Sequence, residues 1–327
     1  MIYKDRIYDQ IEISEPLILE LIKTTTLQRL KEIDQAGYFE PHYPDTTHSR
    51  FEHSLGVFML LKKFQAPFEE QIAGLIHDVS HSAFSHCIDY VLDSGSEEEH
   101  NHQDNIFESF VRESEIPSIL EKYGMDVDYI LEEDNFPLKE RPLPDLCADR
   151  LDYSLRTTVI YKEIKKENVD HFLENLIVEN NHWIFKNFEN AKRYAELFFK
   201  LNSLYYAGLP SAVMYRTVGD YLRYALKKSY LTKADLYTTD KQVLEKVKEY
   251  LDRDKKLRLL FDRMNNKIKF QNNLEDFDAR VFCKSRVVDP LCRDGGEIKR
   301  VSEIDKDWVK VLERESMPKK YFIKFER

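Results

Sequence analysis

Apolar residues recur three and four positions apart through much of this chain, the spacing that gives a helix one buried face. Behind Pro16, which a first helical turn tolerates, Leu17, Ile18, Leu21 and Ile22 open a helical region that stops near Gly37. Residues 55–64 and 69–76 repeat the pattern, as does the stretch carrying Ala191, Tyr194, Ala195, Phe198, Leu201 and Tyr205. Alternation predicts a short strand over residues 8–13, and residues 176–185 read as a local hairpin turning at Asn180 and Asn181, whose side chains tolerate left-handed backbone. Asp240 is placed to cap a helix carrying Val243, Leu244, Val247, Tyr250 and Leu251. After a polar linker at 265–276 the character changes: residues 279–288 and 321–325 are strand-like, with Asp289, Asp294, Gly295 and Gly296 as turn formers. The expected fold is mostly α. It has a helical domain over residues 1–264, containing the short N-terminal strand and the hairpin, with a small α+β lobe over 265–327 packed on it.

A chain of 327 residues buries a sizeable core unaided, and 42% hydrophobic with 33% charged residues argues against disorder. No apolar run approaches the roughly 20 residues of a membrane span. Met1 leads into Tyr3, Lys4 and Asp5 rather than a signal pattern, so a cytoplasmic protein is expected. Cys87, Cys147, Cys283 and Cys292 lie far apart, as free thiols of a reduced compartment do. The net charge of −10 disfavours long nucleic acids, while a small anionic substrate is compatible with a pocket whose potential a cation inverts.

Chemistry concentrates in one region. The chain has ten histidines, and seven fall between His48 and His102. Imidazole and carboxylate together suit a divalent ion that polarises phosphate oxygens. His77 and Asp78 end an apolar helix framed by Ile72, Ala73, Leu75 and Ile76. A buried carboxylate without a partner costs several kcal/mol, a cost that a shared cation would remove.

Taken together, Arg50-Phe51-Glu52-His53-Ser54-Leu55-Gly56, Ala73-Gly74-Leu75-Ile76-His77-Asp78 and His81-Ser82-Ala83-Phe84-Ser85-His86 resemble the HD phosphohydrolase superfamily, specifically its deoxynucleoside triphosphate triphosphohydrolase branch. Asp149-Arg150-Leu151-Asp152-Tyr153 fills that family's Asp-x-x-Asp-Tyr element, and Gln28, Arg29, Gln35 and Asn202-Ser203-Leu204 extend the likeness. The resemblance implies an HD-type helical core. One divalent ion, manganese, iron, magnesium, nickel or zinc, would be held by His53, His77, Asp78 and Asp149. It further implies that His86 protonates the leaving oxygen with Asp89 orienting it, and that His81 and His102 contact phosphate. Arg50 would grip a phosphate bidentately, Gln35 would meet the sugar, and Tyr153 would pack or hydrogen-bond beside them. Branch relatives are dimers or larger, so a homo-oligomer is expected.

The substrate is less constrained. Leu201 stands where the branch has an arginine, and Gly208-Leu209-Pro210 interrupts the segment that brings basic groups to the triphosphate; Lys192, Arg193 or Arg216 would have to compensate. The leading reading is hydrolysis of dNTPs to deoxynucleoside and triphosphate. The alternatives are a phosphatase of nucleoside monophosphates or other small esters and, from another class, a nucleotide-binding sensor without turnover. His100 reads as a solvated neighbour of the acidic run at 97–99, and His42 and His48 as loop residues.

Overall fold

A computed structural model describes residues 1–92, 96 and 98–326, so Glu97 of the acidic run lies outside the described residues. At the N-terminus Asp5 Oδ1 accepts from the backbone N–H groups of Ile7 and Tyr8, at 2.7 and 3.2 Å. This closes a turn between two antiparallel strands, β1 (Ile2–Asp5) and β2 (Asp9–Glu12). The single strand expected over 8–13 is therefore half of a hairpin, because an aspartate rather than glycine makes its turn.

Helices α1 (Pro16–Ile22) and α2 (Thr25–Arg29) lead into a loop and then α3 (Arg50–Lys63). Ser49 starts α3 through a capping box: its side chain accepts from the Glu52 N–H while the Glu52 carboxylate accepts from the Ser49 N–H, worth about 1 kcal/mol. After α4 (Phe68–Ile76), α5 (His102–Arg112), α6 (Ile116–Lys122) and α7 (Val127–Leu131) close one core around Leu17, Leu21, Leu55, Phe58, Ile72 and Leu75. Next, α8 (Ala148–Ile160) lays Leu151 and Leu155 against Val57 and Leu60 of α3, in a second core completed by α9 (Lys166–Glu174).

The hairpin of β3 (Leu176–Glu179) and β4 (His182–Phe185) turns at Asn180 and Asn181, both with positive φ, and precedes α10 (Phe188–Leu201) and α11 (Leu209–Lys227). The helical stretch expected to run through Tyr205 widens into a π turn at Asn202–Tyr206. In α12 (Asp240–Lys248) the cap is Thr239, not Asp240. Asp240 instead turns inward, its carboxylate accepting from the backbone N–H groups of Phe84 at 2.7 Å and Asp34 at 2.9 Å.

Beyond α13 (Lys255–Met264) the chain forms β5 (Phe270–Asn272), β6 (Ala279–Cys283), β7 (Leu291–Asp294), β8 (Glu297–Arg300), α14 (Val301–Ile304), α15 (Lys306–Glu315) and β9 (Lys319–Phe325). The stretch expected as a linker thus contributes β5, which pairs with β9 at the edge of a β5-β9-β6 sheet. Strand β7 pairs in parallel with β4, so the hairpin is not local: it is half of a β3-β4-β7-β8 sheet. Val281, Cys283, Ile323 and Phe325 share a core with Val213 and Val218 of α11, while Val287, Val288 and Trp308 join the core of α8. The last sixty or so residues are thereby sewn into the cores of α11 and α8, which fixes the segment between β6 and β7 beside the histidine-rich region. Among the described residues no helix is long and apolar enough to cross a membrane.

Candidate metal centre and active site

Two imidazoles face each other where α3 meets the end of α4. His53 Nε2 and His77 Nε2 are 3.2 Å apart, and Asp149 Oδ1 of α8 lies 2.8 Å from the first and 3.5 Å from the second. The opposite ring nitrogens are committed: His53 Nδ1 donates to Asp152 Oδ2 at 2.7 Å and His77 Nδ1 donates to the Gly74 carbonyl at 2.8 Å. A carbonyl can only accept, so the neutral His77 ring carries its proton on Nδ1 and presents a lone pair at Nε2. Locking one nitrogen to a carboxylate or carbonyl is how metal-binding histidines are oriented. Donors bound about 2.1 Å from one ion lie roughly 3 Å from each other, which these spacings match.

The orienting carboxylate is itself fixed by a buried ion-pair chain. Arg156, fully buried, donates to both Asp152 oxygens at 2.9 and 3.0 Å and to Asp5 Oδ2 at 3.0 Å. Gly56 lets this pair approach α3: a Cβ there would lie 1.9 Å from Asp152 Oδ1.

Asp78 completes the cluster less symmetrically. Its oxygens lie 3.4 Å from His77 Nε2, 3.7 Å from His53 Nε2 and 3.3 Å from His81 Nε2, while Arg50 Nη1 donates to Oδ2 at 2.7 Å. Burial opposes the Asp78 charge, but Arg50 and the flanking histidines overcome it and hold the carboxyl well below its usual range. Burial likewise opposes a charge on His53, yet Asp149, Asp152 and Asp78 push that ring up to about 9. So many carboxylates around one point demand positive charge, which a divalent cation supplies with both rings neutral. The donor set fits such an ion.

Arg50 differs from its expected role. It is 3% exposed, and besides Asp78 it donates to Ser85 Oγ at 2.9 Å and the Gln35 carbonyl at 2.8 Å. The fork expected to hold phosphate bidentately is spent largely on the protein, because the Asp78 charge beside it is the nearer demand.

From Asp78 a row of rings runs outward. His81 meets His86 edge-on at 5.1 Å, and His86 stacks on His100 at 5.2 Å. His86 Nδ1 lies 3.4 Å from Asp89 Oδ2. Burial, then the charges of His81, Arg50, Arg286 and Lys284, hold the His86 ring well below its ordinary range, so it is neutral at pH 7. His100 is corrected: rather than being solvated it is 3% exposed, because left-handed backbone (φ 53°) folds its ring over His86 and Tyr90. His102 is corrected too. It opens α5, where its N–H donates to Asp89 Oδ1 at 3.0 Å, and its ring turns away to Tyr237 Oη at 2.9 Å. It supports Asp89 and does not line the cavity. His48, though in a loop, is also buried, at 3% exposure.

A cavity of about 640 Å³ opens over the centre, walled by His77, Asp78, Asp149, His81, His86, Arg50, Gln35 and Tyr153. Gln35 Oε1 and Tyr153 Oη are buried there without a hydrogen-bond partner among the described residues. Sequence reasoning missed other wall residues: His100, Lys139, Arg141, Arg150, Lys284 and Arg286. Lys284 and Arg286, two apart in a strand-like stretch, carried a signal, since that spacing puts both on one face. The suggested compensators lie elsewhere: Lys192 pairs with Asp305 and Arg216 with Asp220, each at 2.9 Å, and Arg193 sits over the Phe172 ring. Leu201 is fully buried and offers the cavity nothing.

Comparison with known proteins agrees with this geometry. The family model described as HD domain matches residues 50–157, the span from Arg50 through α8. An uncharacterized protein of Bacillus subtilis, YdhJ, is 34% identical over 287 residues, covering 88% of this chain and 86% of its own. The metal-dependent phosphohydrolase cns2 of Cordyceps militaris is 36% identical over 178 residues, 54% of this chain and 50% of that protein. The mouse deoxynucleoside triphosphate triphosphohydrolase SAMHD1 is 32% identical over 156 residues, 40% of this chain and only 24% of that one. A helical fold, facing histidines locked on their far nitrogens, a matching HD-domain model and a relative covering most of the chain lead to one conclusion: the chain belongs to the HD-domain superfamily of metal-dependent phosphohydrolases.

Proposed function

We propose that the chain hydrolyses deoxynucleoside triphosphates to deoxynucleoside and inorganic triphosphate, with His53, His77, Asp78 and Asp149 holding one divalent ion. The observation that carries this reading is the convergence of His53 Nε2, His77 Nε2 and Asp149 Oδ1 at the floor of a cavity that also presents His86 with Asp89 behind it. A divalent ion bound there would supply Lewis-acid polarisation of the phosphoryl group under attack.

The protein's own groups do the rest. Asp152 and the Gly74 carbonyl keep the liganding rings in one tautomer. His81, its Nε2 3.3 Å from Asp78 and its Nδ1 buried without a partner among the described residues, lines the cavity that phosphate enters. His86, neutral in the free protein, gains basicity as phosphate charge enters the cavity. The ring, having taken a proton from solvent, then delivers it to the leaving sugar oxygen as a water oxygen bonds to phosphorus and gives up its own proton to solvent, with Asp89 orienting the ring. Gln35 Oε1 and Tyr153 Oη, lacking partners of their own, receive the sugar hydroxyl. The partial likeness to SAMHD1 favours this substrate class. His86→Ala is expected to lower kcat by about 10²–10⁴-fold with metal content unchanged, measured by steady-state kinetics alongside elemental analysis; an unaltered kcat removes His86 from the mechanism.

A second reading, a phosphatase of nucleoside monophosphates or similar esters, is favoured by Arg50 being engaged with Asp78 and by the burial of Leu201. Incubating the metal-loaded protein with a panel of deoxynucleoside tri- and monophosphates, and identifying the products by anion exchange, separates the two. Inorganic triphosphate with free deoxynucleoside supports the first. Orthophosphate released from monophosphates, with triphosphates untouched, replaces it with the second. The same reading carries a homo-oligomer in the cytoplasm.

A further inference from the structure

We infer that Lys284 and Arg286, on the segment leaving β6, form the anion clamp of the cavity and hold a substrate phosphate other than the one that reacts at the metal centre. The inference deepens the proposed function and rests on it for the identity of the substrate.

The other cations of the cavity wall are already occupied. Arg50 pairs with Asp78, Arg150 donates to the Asp145 carbonyl at 2.6 Å and pairs with Glu140 at 3.3 Å, and Lys139 pairs with Glu133 at 3.2 Å. Arg141 donates to the carbonyls of Pro137 and Asn181, both at 3.0 Å. The Arg286 guanidinium, by contrast, meets no carboxylate and no hydrogen-bond acceptor among the described residues, although the residue is half-buried in the wall. Lys284 Nζ donates to the Glu99 carbonyl at 2.7 Å and pairs with no carboxylate among the described residues. Two neighbouring cations left so exposed to each other repel, and an anion between them removes that cost. Burial first, and the Arg286 charge second, depress the Lys284 ammonium to about 8.

The segment is aimed rather than loose. Asn202, fully buried in the π turn after α10, accepts from the Arg286 N–H at 2.9 Å and donates to Ser285 Oγ at 2.9 Å and to Glu315 Oε2 at 3.1 Å. Lys284 Nζ, on the Glu99 carbonyl, sits next to His100, the outermost ring of the row that starts beside Asp78, and Arg286 lines the same cavity wall. The rings of His81 and His86 separate Asp78 from His100, so on this inference the phosphate met by the pair is not the one at Asp78. The clamp therefore selects for a phosphate chain over a lone phosphoryl group.

Calorimetric titration of the metal-loaded protein with inorganic tripolyphosphate, and separately with orthophosphate, tests this directly. Arg286→Ala and Lys284→Ala are each expected to weaken tripolyphosphate by roughly 10- to 100-fold while orthophosphate changes little, since each removes charge-assisted hydrogen bonds. In turnover, Arg286→Ala is expected to raise KM for the triphosphate with kcat nearly retained, and Arg286→Lys to recover part of the loss. Arg286→Gln, which keeps the first two methylenes and a polar end while removing the charge, serves if alanine disturbs folding, as judged by the melting transition. Undiminished tripolyphosphate binding in these variants, equal weakening of both anions, or no tripolyphosphate binding by the wild type overturns the clamp. A wild type whose tripolyphosphate affinity depends on Arg286 but which hydrolyses no triphosphate leaves the clamp standing and removes the proposed reaction instead.

Discussion

Asp149→Ala is expected to abolish both turnover and bound metal while leaving the melting transition close to that of the wild type. Asp149 keeps 21% of its side chain exposed, and its carboxylate touches the two histidine rings rather than a buried arginine. Its removal takes away a proposed ligand without stranding a charge. Asp78→Ala is expected to behave differently even though it too removes a proposed ligand. Asp78 neutralises Arg50, 3% exposed, and breaking a buried pair by removing one partner costs about 3–5 kcal/mol. Activity loss without destabilisation in the first variant, and with destabilisation in the second, is the expected contrast in denaturant unfolding and rate measurements. Equal stability of the two variants would contradict the role given to Arg50.

The second large effect belongs to Arg156, which contacts neither cavity nor ligand directly. Arg156→Met leaves Asp5 and Asp152 as buried carboxylates without their counter-charge, and the expected loss is about 3–5 kcal/mol of folding stability. The loss reaches function through one hydrogen bond. Asp152 holds His53 Nδ1 at 2.7 Å, and without Arg156 that carboxylate favours its protonated form and releases the ring. Metal affinity is expected to fall roughly 10- to 100-fold, the usual consequence of disturbing a residue behind a ligand. Competition titration with a metal chelator, at a denaturant-free temperature well below melting, reads the affinity separately from stability. A variant that is destabilised but binds metal as tightly as the wild type would show that Arg156 serves folding alone.

Much of the helical fold is legible because amphipathic spacing is local: α1, α3, α4 and α10 lie where their apolar stripes place them. What sequence reading loses is non-local. The β1 turn depends on Asp5 capturing its own backbone, and the β4–β7 pairing joins residues more than a hundred positions apart. At the site, the side chains of His53, His77, Asp78 and Asp149, grouped in the sequence by the family resemblance, lie close together. His100 and His102 exchange places, because a single left-handed residue, His100, decides which ring faces the cavity and no periodicity encodes it. Arg50 looked free in sequence because nothing there reveals that Asp78 is its neighbour. For Lys284 and Arg286 the shared face is local, but that it lines the cavity is not: they reach it only because the terminal strands are woven into the helical cores.

Elemental analysis of metal-equilibrated, desalted protein, wild type beside Asp149→Ala and His53→Ala, is the most direct measurement of whether these side chains hold a cation. The expected result is about one divalent ion per wild-type chain and almost none in either variant, as a single shared site requires. Equal metal in all three proteins, or a fully active wild type that carries none and survives chelation, would contradict it.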